Sequence, residues 1–464
     1  PPVFMEPAKA RAQIKLTLEG FLEETAQFIE AGEQEALPPV LAIAASAGSG
    51  KSTMTRKALA AFDLALFGGD VVFYTPTLAL ADEAATDFGG HVTRGRSATN
   101  PDTGEPMCNR SELAQKVGNA GLNVKATLCE KRLADGTTSL CPHFHSCAYL
   151  NQWNVLPDKP VVRFETHNYL TIGGDGSGRK PALRVIDESI WRQFTRVVDL
   201  QIDQWVRPRN PYVKGESKAA VDHATELAAD ASQAALDVLR ALQNGSGPLS
   251  LPYSAEDYSG FAEAEVQPMT LRGDPTDSDD NLFAELARKE MDAAAMKRRR
   301  LWLILADCKE RELTQTERLR LIVDTPLQGG GKADVIRITW LADLPHDVPV
   351  LLLDADATPK ITKRIYPNAR LESFTLKPNA EVIQLTDKTL SKATVLDRPA
   401  VNNSGNRREM AELVRAEVYR DSLTGNRGVL AIATKEIVEA IFKDAGHDID
   451  SMGGNAQRAL MMDT

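Results

Sequence analysis

No apolar run in the 464-residue chain reaches the ~18 consecutive residues that would argue for a membrane-crossing helix. The opening Pro1-Pro-Val-Phe-Met-Glu6 lacks both the basic and the apolar stretch of a secretion signal. With both absent, the expected location is cytoplasmic and no membrane partner is expected. The first residue is Pro rather than Met, as in a fragment or a trimmed product. Cysteine is scarce: five residues in a chain of this size argue against a disulfide framework. There is no internal repeat and no low-complexity tract. Basic charge is not in excess either, since 54 Lys and Arg stand against 64 Asp and Glu, a net charge of −10. That balance disfavours indiscriminate nucleic-acid binding but leaves room for a local basic groove. What is present is an ordinary globular composition, 43% hydrophobic and 25% charged, with length for two or three domains.

The most informative stretch is Leu41-Ala-Ile-Ala-Ala-Ser-Ala-Gly-Ser-Gly-Lys-Ser-Thr53. Leu41 to Ala44 predict a short buried strand, Ala45 to Gly50 a small-residue turn, and Lys51 opens a helix continuing to Phe62. This is the P-loop pattern with Ala45 in place of the first glycine. Gly48 and Gly50 let the backbone curl so that successive N–H groups face one concavity, and the helix adds its positive end there. Ala47, Gly48, Ser49, Gly50, Lys51, Ser52 and Thr53 are the expected binding residues for ATP, with Lys51 on the β/γ-phosphates and the Ser52 hydroxyl on Mg²⁺. Further along, Leu183-Arg-Val-Ile-Asp-Glu-Ser189 predicts another core strand, ending in paired carboxylates. In an NTPase Asp187 would hold Mg²⁺ and Glu188 would polarise the attacking water. The plainer alternative is an acidic strand end at a sheet edge.

Before the first helix-strand unit, residues 8–31 predict an amphipathic helix with Ile14, Leu16, Leu18, Phe21, Leu22 and Phe28 among its apolar positions. After it, Asp70 to Thr77 predict a buried strand ending Thr75-Pro-Thr77, and Leu78 to Ala85 a helix. This run resembles a helicase motif in which threonine hydroxyls and a helix N-terminus hold a nucleic-acid phosphate, which makes Thr75 and Thr77 candidates. A plain strand-to-helix connection accounts for them equally well. Residues 90–155 are loop-rich and carry Cys108, Cys129, Cys141 and Cys147 in the spacing C-x20-C-x11-C-x5-C. Four thiolates are soft ligands that suit one iron–sulfur or Zn²⁺ site. No close C-x2-C knuckle is present, so the spacing fits a [4Fe–4S] cluster better than a zinc ribbon. His143 and His145 keep a mixed Cys/His zinc site open, and four unrelated thiols are the bland alternative. Cys308 reads as a buried thiol.

Residues 201–332 predict a mostly helical insertion containing Lys297-Arg-Arg-Arg300 and Trp302. Arg298, Arg299 and Trp302 are candidate nucleic-acid contacts, with a solvated helix face as the ordinary reading. Ala333 to Trp340 predict an alternating strand, and Val348 to Pro359 an apolar strand ending in a polar turn. Asp354, Asp356 and Thr358 in that turn are candidates to couple the nucleotide to a second lobe. Ala380 to Leu385 and Gly428 to Thr434 predict two further strands. Helices are expected at Arg407 to Arg420 and Lys435 to Phe442.

The order of these features resembles the XPD/DinG-type iron–sulfur helicases of superfamily 2 over roughly residues 35–440. Cys141-Pro-His-Phe-His-Ser-Cys-Ala-Tyr149 is similar to the family's C-P-x-x-x-x-C-x-Y stretch, and His167-Asn-Tyr-Leu170 to the stretch before its Asp-Glu strand. The resemblance implies an α/β fold, a RecA-like parallel sheet with a cysteine-rich and a helical, arch-like insertion, plus the start of a second RecA-like lobe. The implied divisions are an N-terminal helix (1–34), lobe 1 in three pieces (35–89, 156–200, 333–400), the four-cysteine insertion (90–155), the arch (201–332) and a partial second lobe (401–464). It implies an ATP-dependent DNA helicase, moving 5′→3′ on single-stranded or forked DNA. The family's Asp-Glu-Ala-His is here Asp187-Glu-Ser-Ile190, and Asp356-Ala-Thr358 replaces S-A-T. The arginine finger falls outside this chain, so strand separation by the chain alone is not expected. The rival expectation is a zinc-stabilised P-loop ATPase that binds or remodels nucleic acid without unwinding. A packaging or segregation ATPase is a third, which gives no reason for the four cysteines.

Overall fold

The structure is a computed structural model, and it describes residues 4–32, 36–133, 135–172, 177–209, 211, 217–265, 273–288, 293–327, 330–376, 391–397, 402–424 and 435–444. The chain divides into two units, Pro1–Lys377 and Pro378–Thr464. Twelve strands are described: β1 (Val40–Ala45), β2 (Asp70–Thr75), β3 (His91–Val92), β4 (Glu130–Arg132), β5 (Thr138–Leu140), β6 (Val162–Thr166), β7 (Pro181–Asp187), β8 (Thr195–Gln201), β9 (Leu319–Pro326), β10 (Lys332–Leu341), β11 (Val350–Asp354) and β12 (Arg370–Phe374). Seven of them form one sheet in the order β12-β1-β11-β7-β2-β6-β3, and every neighbouring pair is parallel.

The sheet is covered on both faces, as a parallel sheet must be. Leu41, Ile43, Val71, Phe73, Val185, Leu351 and Leu353 point to one face, where the helices Pro7–Ala31, Lys51–Ala61 and Leu78–Phe88 pack. Ala42, Val72, Tyr74, Ile186, Val350 and Leu352 alternate to the other, under Leu170, Ile190, Phe194 and Tyr366. Helix Pro7–Ala31 buries Ile14, Leu18, Phe21 and Leu22, each contributing on the order of 1.5–3 kcal/mol, and ends on Gly32 at φ 60°. Leu16, counted among its apolar positions from the sequence, is 67% exposed.

The alternating strand at 333–340 does not close the main sheet. As β10 it pairs antiparallel with β8 and β9 in a separate three-stranded sheet. Its alternation suits a sheet with one buried face, whereas β11, apolar at every core position, fits between two parallel neighbours. The block 201–332 is therefore not purely helical: it contributes β9 and rests its helices on this second sheet. Residues 195–200, assigned to the main lobe from sequence, belong to the second sheet too, while β3 shows that the main sheet extends past residue 90. Helix Lys218–Gln243 buries Ala224, Ala228, Ala231, Ala235 and Val238, a small-residue stripe at helical spacing.

Trp302 is fully buried in this subdomain and Arg298 is 7% exposed, which removes both from any nucleic-acid surface. The basic residue and the aromatic serve the core instead. Glu265 accepts from Arg209 Nε at 2.8 Å and Trp302 Nε1 at 2.9 Å through Oε1, and from Arg298 Nε at 2.6 Å through Oε2. Arg299, the third candidate, is half-buried beside them.

In the second unit Val395, Ala411, Ile437 and Ile441 form a small core between the helices Ser404–Thr424 and Lys435–Asp444 and the turn before them. Both long helices were expected. The strands expected at Ala380 to Leu385 and Gly428 to Thr434 lie outside the described residues.

Glu265→Ala leaves two buried guanidiniums without their carboxylate. The expected loss is about 3–5 kcal/mol in the stability of the antiparallel subdomain. Thermal unfolding followed by tryptophan fluorescence, to which the buried Trp205 and Trp302 contribute, measures it, and an unchanged melt would show that the triad contributes nothing.

Candidate functional site

The register of three central strands builds the site. Ala44 of β1 pairs with Asp354 of β11, and Leu353 of β11 pairs with Asp187 of β7. The carboxyl ends of three strands far apart in sequence thus lie side by side, at the edge where open α/β sheets take ligands. The turn Ser46–Gly50 leaves β1 there and leads into helix Lys51–Ala61. Gly48 and Gly50 adopt φ 74° and 87°, a conformation that L side chains strain to reach. A cleft of about 360 Å³ is lined by Ala47 to Thr53, by Asp187 to Ser189 and by Leu353 to Asp356.

The side chains converge as well. Ser52 donates its hydroxyl to Asp187 Oδ1 at 2.6 Å across 135 residues of chain. Lys51 folds back over the turn, its ammonium on the carbonyl of Ala45 at 2.5 Å and that of Ser46 at 3.5 Å. Burial lowers the Lys51 pKa, against the opposing pull of Asp187, Asp354, Glu188 and Asp356. Burial raises that of Asp187, and Glu188 adds to the rise while the Ser52 hydroxyl and Lys51 oppose it. The Ser49 hydroxyl is buried without a hydrogen-bond partner among the described residues, a spare polar group inside the turn. Glu188 sits at φ 67°, its N–H donating to Leu353 O at 2.8 Å. A non-glycine residue in that region stores strain, and such strain gathers at functional sites.

Two residues of the site had been given no role from sequence. His167, 1% exposed at the end of β6, sets Nε2 2.7 Å from the backbone carbonyl of Asp187. Trp191 donates Nε1 to Asp354 Oδ2 at 2.8 Å. Asp354 is buried and also accepts from the backbone N–H of Asp356 at 2.9 Å, so it stiffens the turn opposite Lys51. Asp356 is exposed in the cleft, and Thr358 caps helix Pro359–Ile365 by accepting from Ile361 N at 3.4 Å. Thr75 is buried, its hydroxyl donating to Thr77 O at 2.9 Å. Thr77 is exposed and caps helix Leu78–Phe88. Both hydroxyls therefore have structural work in this strand-to-helix turn.

The four cysteines lie in the excursion between β3 and β6, where they approach one another in pairs. Cys141 N donates to Cys129 O at 2.9 Å across the start of the β4-β5 hairpin. Cys108 and Cys147 interact as neighbours: the pairing, with burial, pushes the Cys108 thiol up, and the same pairing pulls Cys147 down. Cys129 lies within electrostatic reach of Cys108 and Cys141, its thiol pushed up by burial. Arg96 donates to Cys129 Sγ at 3.4 Å and stacks 4.0 Å over the Tyr149 ring. As the chain stands, no group of three or more His, Cys, Asp or Glu among the described residues is drawn closely enough together to hold a metal ion. In chemistry the donor set nevertheless fits one: four soft sulfurs, with a guanidinium beside them to offset thiolate charge. This excursion docks on the 201–332 block. Arg110 reaches Asp279 at 2.5 Å and the carbonyls of Pro275 and Asp277, and Leu113, Val117 and Leu128 pack with Leu282 and Leu286.

Comparison with protein-family models and with curated proteins gives no match to this chain. No helix among the described residues is long and apolar enough to cross a membrane.

Two variants that both lack the Glu188 carboxylate isolate the backbone strain. Glu188→Gly should be more stable than Glu188→Ala by about 1 kcal/mol, because only glycine adopts φ 67° freely. Equal denaturation midpoints would show that the position is unstrained in solution.

Proposed function

We propose that the parallel sheet is that of a RecA-like P-loop NTPase whose cleft binds and hydrolyses ATP. The observation that carries this is the 2.6 Å hydrogen bond between Ser52 and Asp187, beside a lysine poised over a glycine-rich turn. Ser52 Oγ and Asp187 Oδ1 are hard oxygen donors of the kind Mg²⁺ takes, and bound Mg²⁺ supplies charge neutralisation at the phosphates. Lys51 exchanges its carbonyl partners for phosphate oxygens, and the turn's N–H groups take the rest. Glu188 orients the attacking water, held in place by its bond to Leu353. His167 fixes the carbonyl of Asp187 and so the aim of both carboxylates.

Within that class, we propose an iron–sulfur helicase or translocase of superfamily 2, acting on single-stranded DNA. Support comes from the motif order, from four cysteines carried in one insertion and near one another in pairs, and from the docking of that insertion on the 201–332 block. Cys108, Cys129, Cys141 and Cys147 would hold a [4Fe–4S] cluster, which supplies a rigid cross-link among four loop segments.

Two measurements test the reading. Lys51→Ala should lower ATP hydrolysis by at least about 100-fold, since positioning and charge stabilisation make up most of phosphoryl-transfer catalysis. Undiminished hydrolysis overturns the cleft assignment. Anaerobic purification should yield a brown protein with a broad band near ~400 nm and about four irons per chain. A colourless protein with one zinc would leave the ATPase standing and remove the helicase family.

A further inference from the structure

A second cleft, of about 370 Å³, is lined by Arg300, Arg311, Arg318 and Arg364 around Trp340. It lies at the amino edge of the main sheet, away from Lys51. Leu344 and His346 in its wall precede β11, and Asn368, just past Arg364, donates to the carbonyl of Pro38 ahead of β1 at 2.7 Å. The facing wall belongs to the antiparallel subdomain, with Arg300 on helix Ala293–Glu310 and Trp340 on β10.

In a chain of net charge −10, four guanidiniums here face two carboxylates, Asp307 and Asp343. Asp307 is already shared, bonding Arg311 at 2.8 Å and Arg318 at 2.6 Å. Arg364 is exposed and has no ion-pair partner among the described residues. Arg300 is half-buried, its guanidinium 4.7 Å from the centre of the Trp340 ring and without a hydrogen-bond acceptor among the described residues. Burial lowers its pKa, with Asp343 opposing, the sign of a cation short of compensation. Guanidinium forks match phosphate oxygens in pairs, and a guanidinium–indole stack offers a flat face to a base. The volume lies in the range of small-ligand sites.

We propose that this cleft binds a nucleoside phosphate, with the phosphate facing Arg364 and the base facing the Arg300–Trp340 stack. The ligand is either a free nucleotide or one residue of a single strand. The site is separate from the ATP cleft and does not depend on ATP hydrolysis there.

The test uses the full chain carrying Lys51→Ala, which removes the cation of the other phosphate site, and the comparison among variants of the second cleft separates binding there from any that remains at the first. The probes are adenosine monophosphate in equilibrium dialysis and a short labelled oligothymidine in fluorescence anisotropy. At least one should bind saturably with Kd below about 1 mM. Adding Arg300→Ala and Arg364→Ala together should weaken it by at least about tenfold, and adding Arg320→Ala on the exposed face of β9 should not. Trp340→Phe, a milder change that keeps the arginines, should weaken binding by roughly two- to fivefold. Binding of the oligonucleotide alone assigns the site to a strand, and binding of the mononucleotide assigns it to a free nucleotide. If neither probe binds, or if the arginine pair and Trp340 variants bind like the parent, the proposal fails. That result is independent of whether the protein without Lys51→Ala hydrolyses ATP.

Discussion

Ser52 and Asp187 can meet at 2.6 Å only because β1 and β7 are held on either side of β11, all three parallel and ending at the same edge. Move β11 by one register step and its inward and outward side chains exchange faces. Leu351 and Leu353 would then lose their cluster, and Asp354 would lose its place beside Trp191 and the lysine. The two apolar faces of the sheet thus fix the register, and the register fixes the cleft. The polar groups do not assemble themselves; burial of Asp187 and Lys51 opposes their charged forms, and each is tolerated because partners stand opposite.

The same constraint explains the layout of the chain. Parallel neighbours need a crossover that returns from the carboxyl edge of one strand to the amino edge of the next. Between β7 and β11 that crossover contains the entire antiparallel subdomain, with its own core of Trp205, Tyr258 and Trp302. The excursion between β3 and β6 carries the cysteines and rests on the crossover through Arg110 and the Leu113–Leu282 cluster. The two excursions brace one another, while the sheet supplies the cleft. His167, just past the carboxyl end of β6, touches the backbone of Asp187 and so ties that strand to the acidic end of β7.

Much of this was legible in the residues. The small-residue turn between an apolar strand and a helix, the carboxylates after Ile186, and the four clustered cysteines are local patterns, and local patterns survive folding. Two readings failed for one shared reason. Arg298 and Trp302 looked like a basic-aromatic surface, and the alternating strand at 333–340 looked like a closing strand of the main sheet. Both depend on what lies opposite in space. A buried Glu265 turns the first into a core triad, and the antiparallel partners β8 and β9 claim the second.

The sequence by itself determined the strand-turn-helix at Leu41 to Phe62, the acidic end of β7, and the presence of a loop-rich four-cysteine insertion. These follow from periodicity, glycine conformation and residue chemistry within a few residues of one another. Tertiary structure alone decided which strands neighbour which, that Asp354, His167 and Trp191 join the cleft, and that the two excursions dock. It also decided which arginines face solvent around Trp340 and which are spent on Glu265. Those outcomes depend on pairings across a hundred residues or more, set by the fit of whole apolar faces, and no local window of sequence contains them.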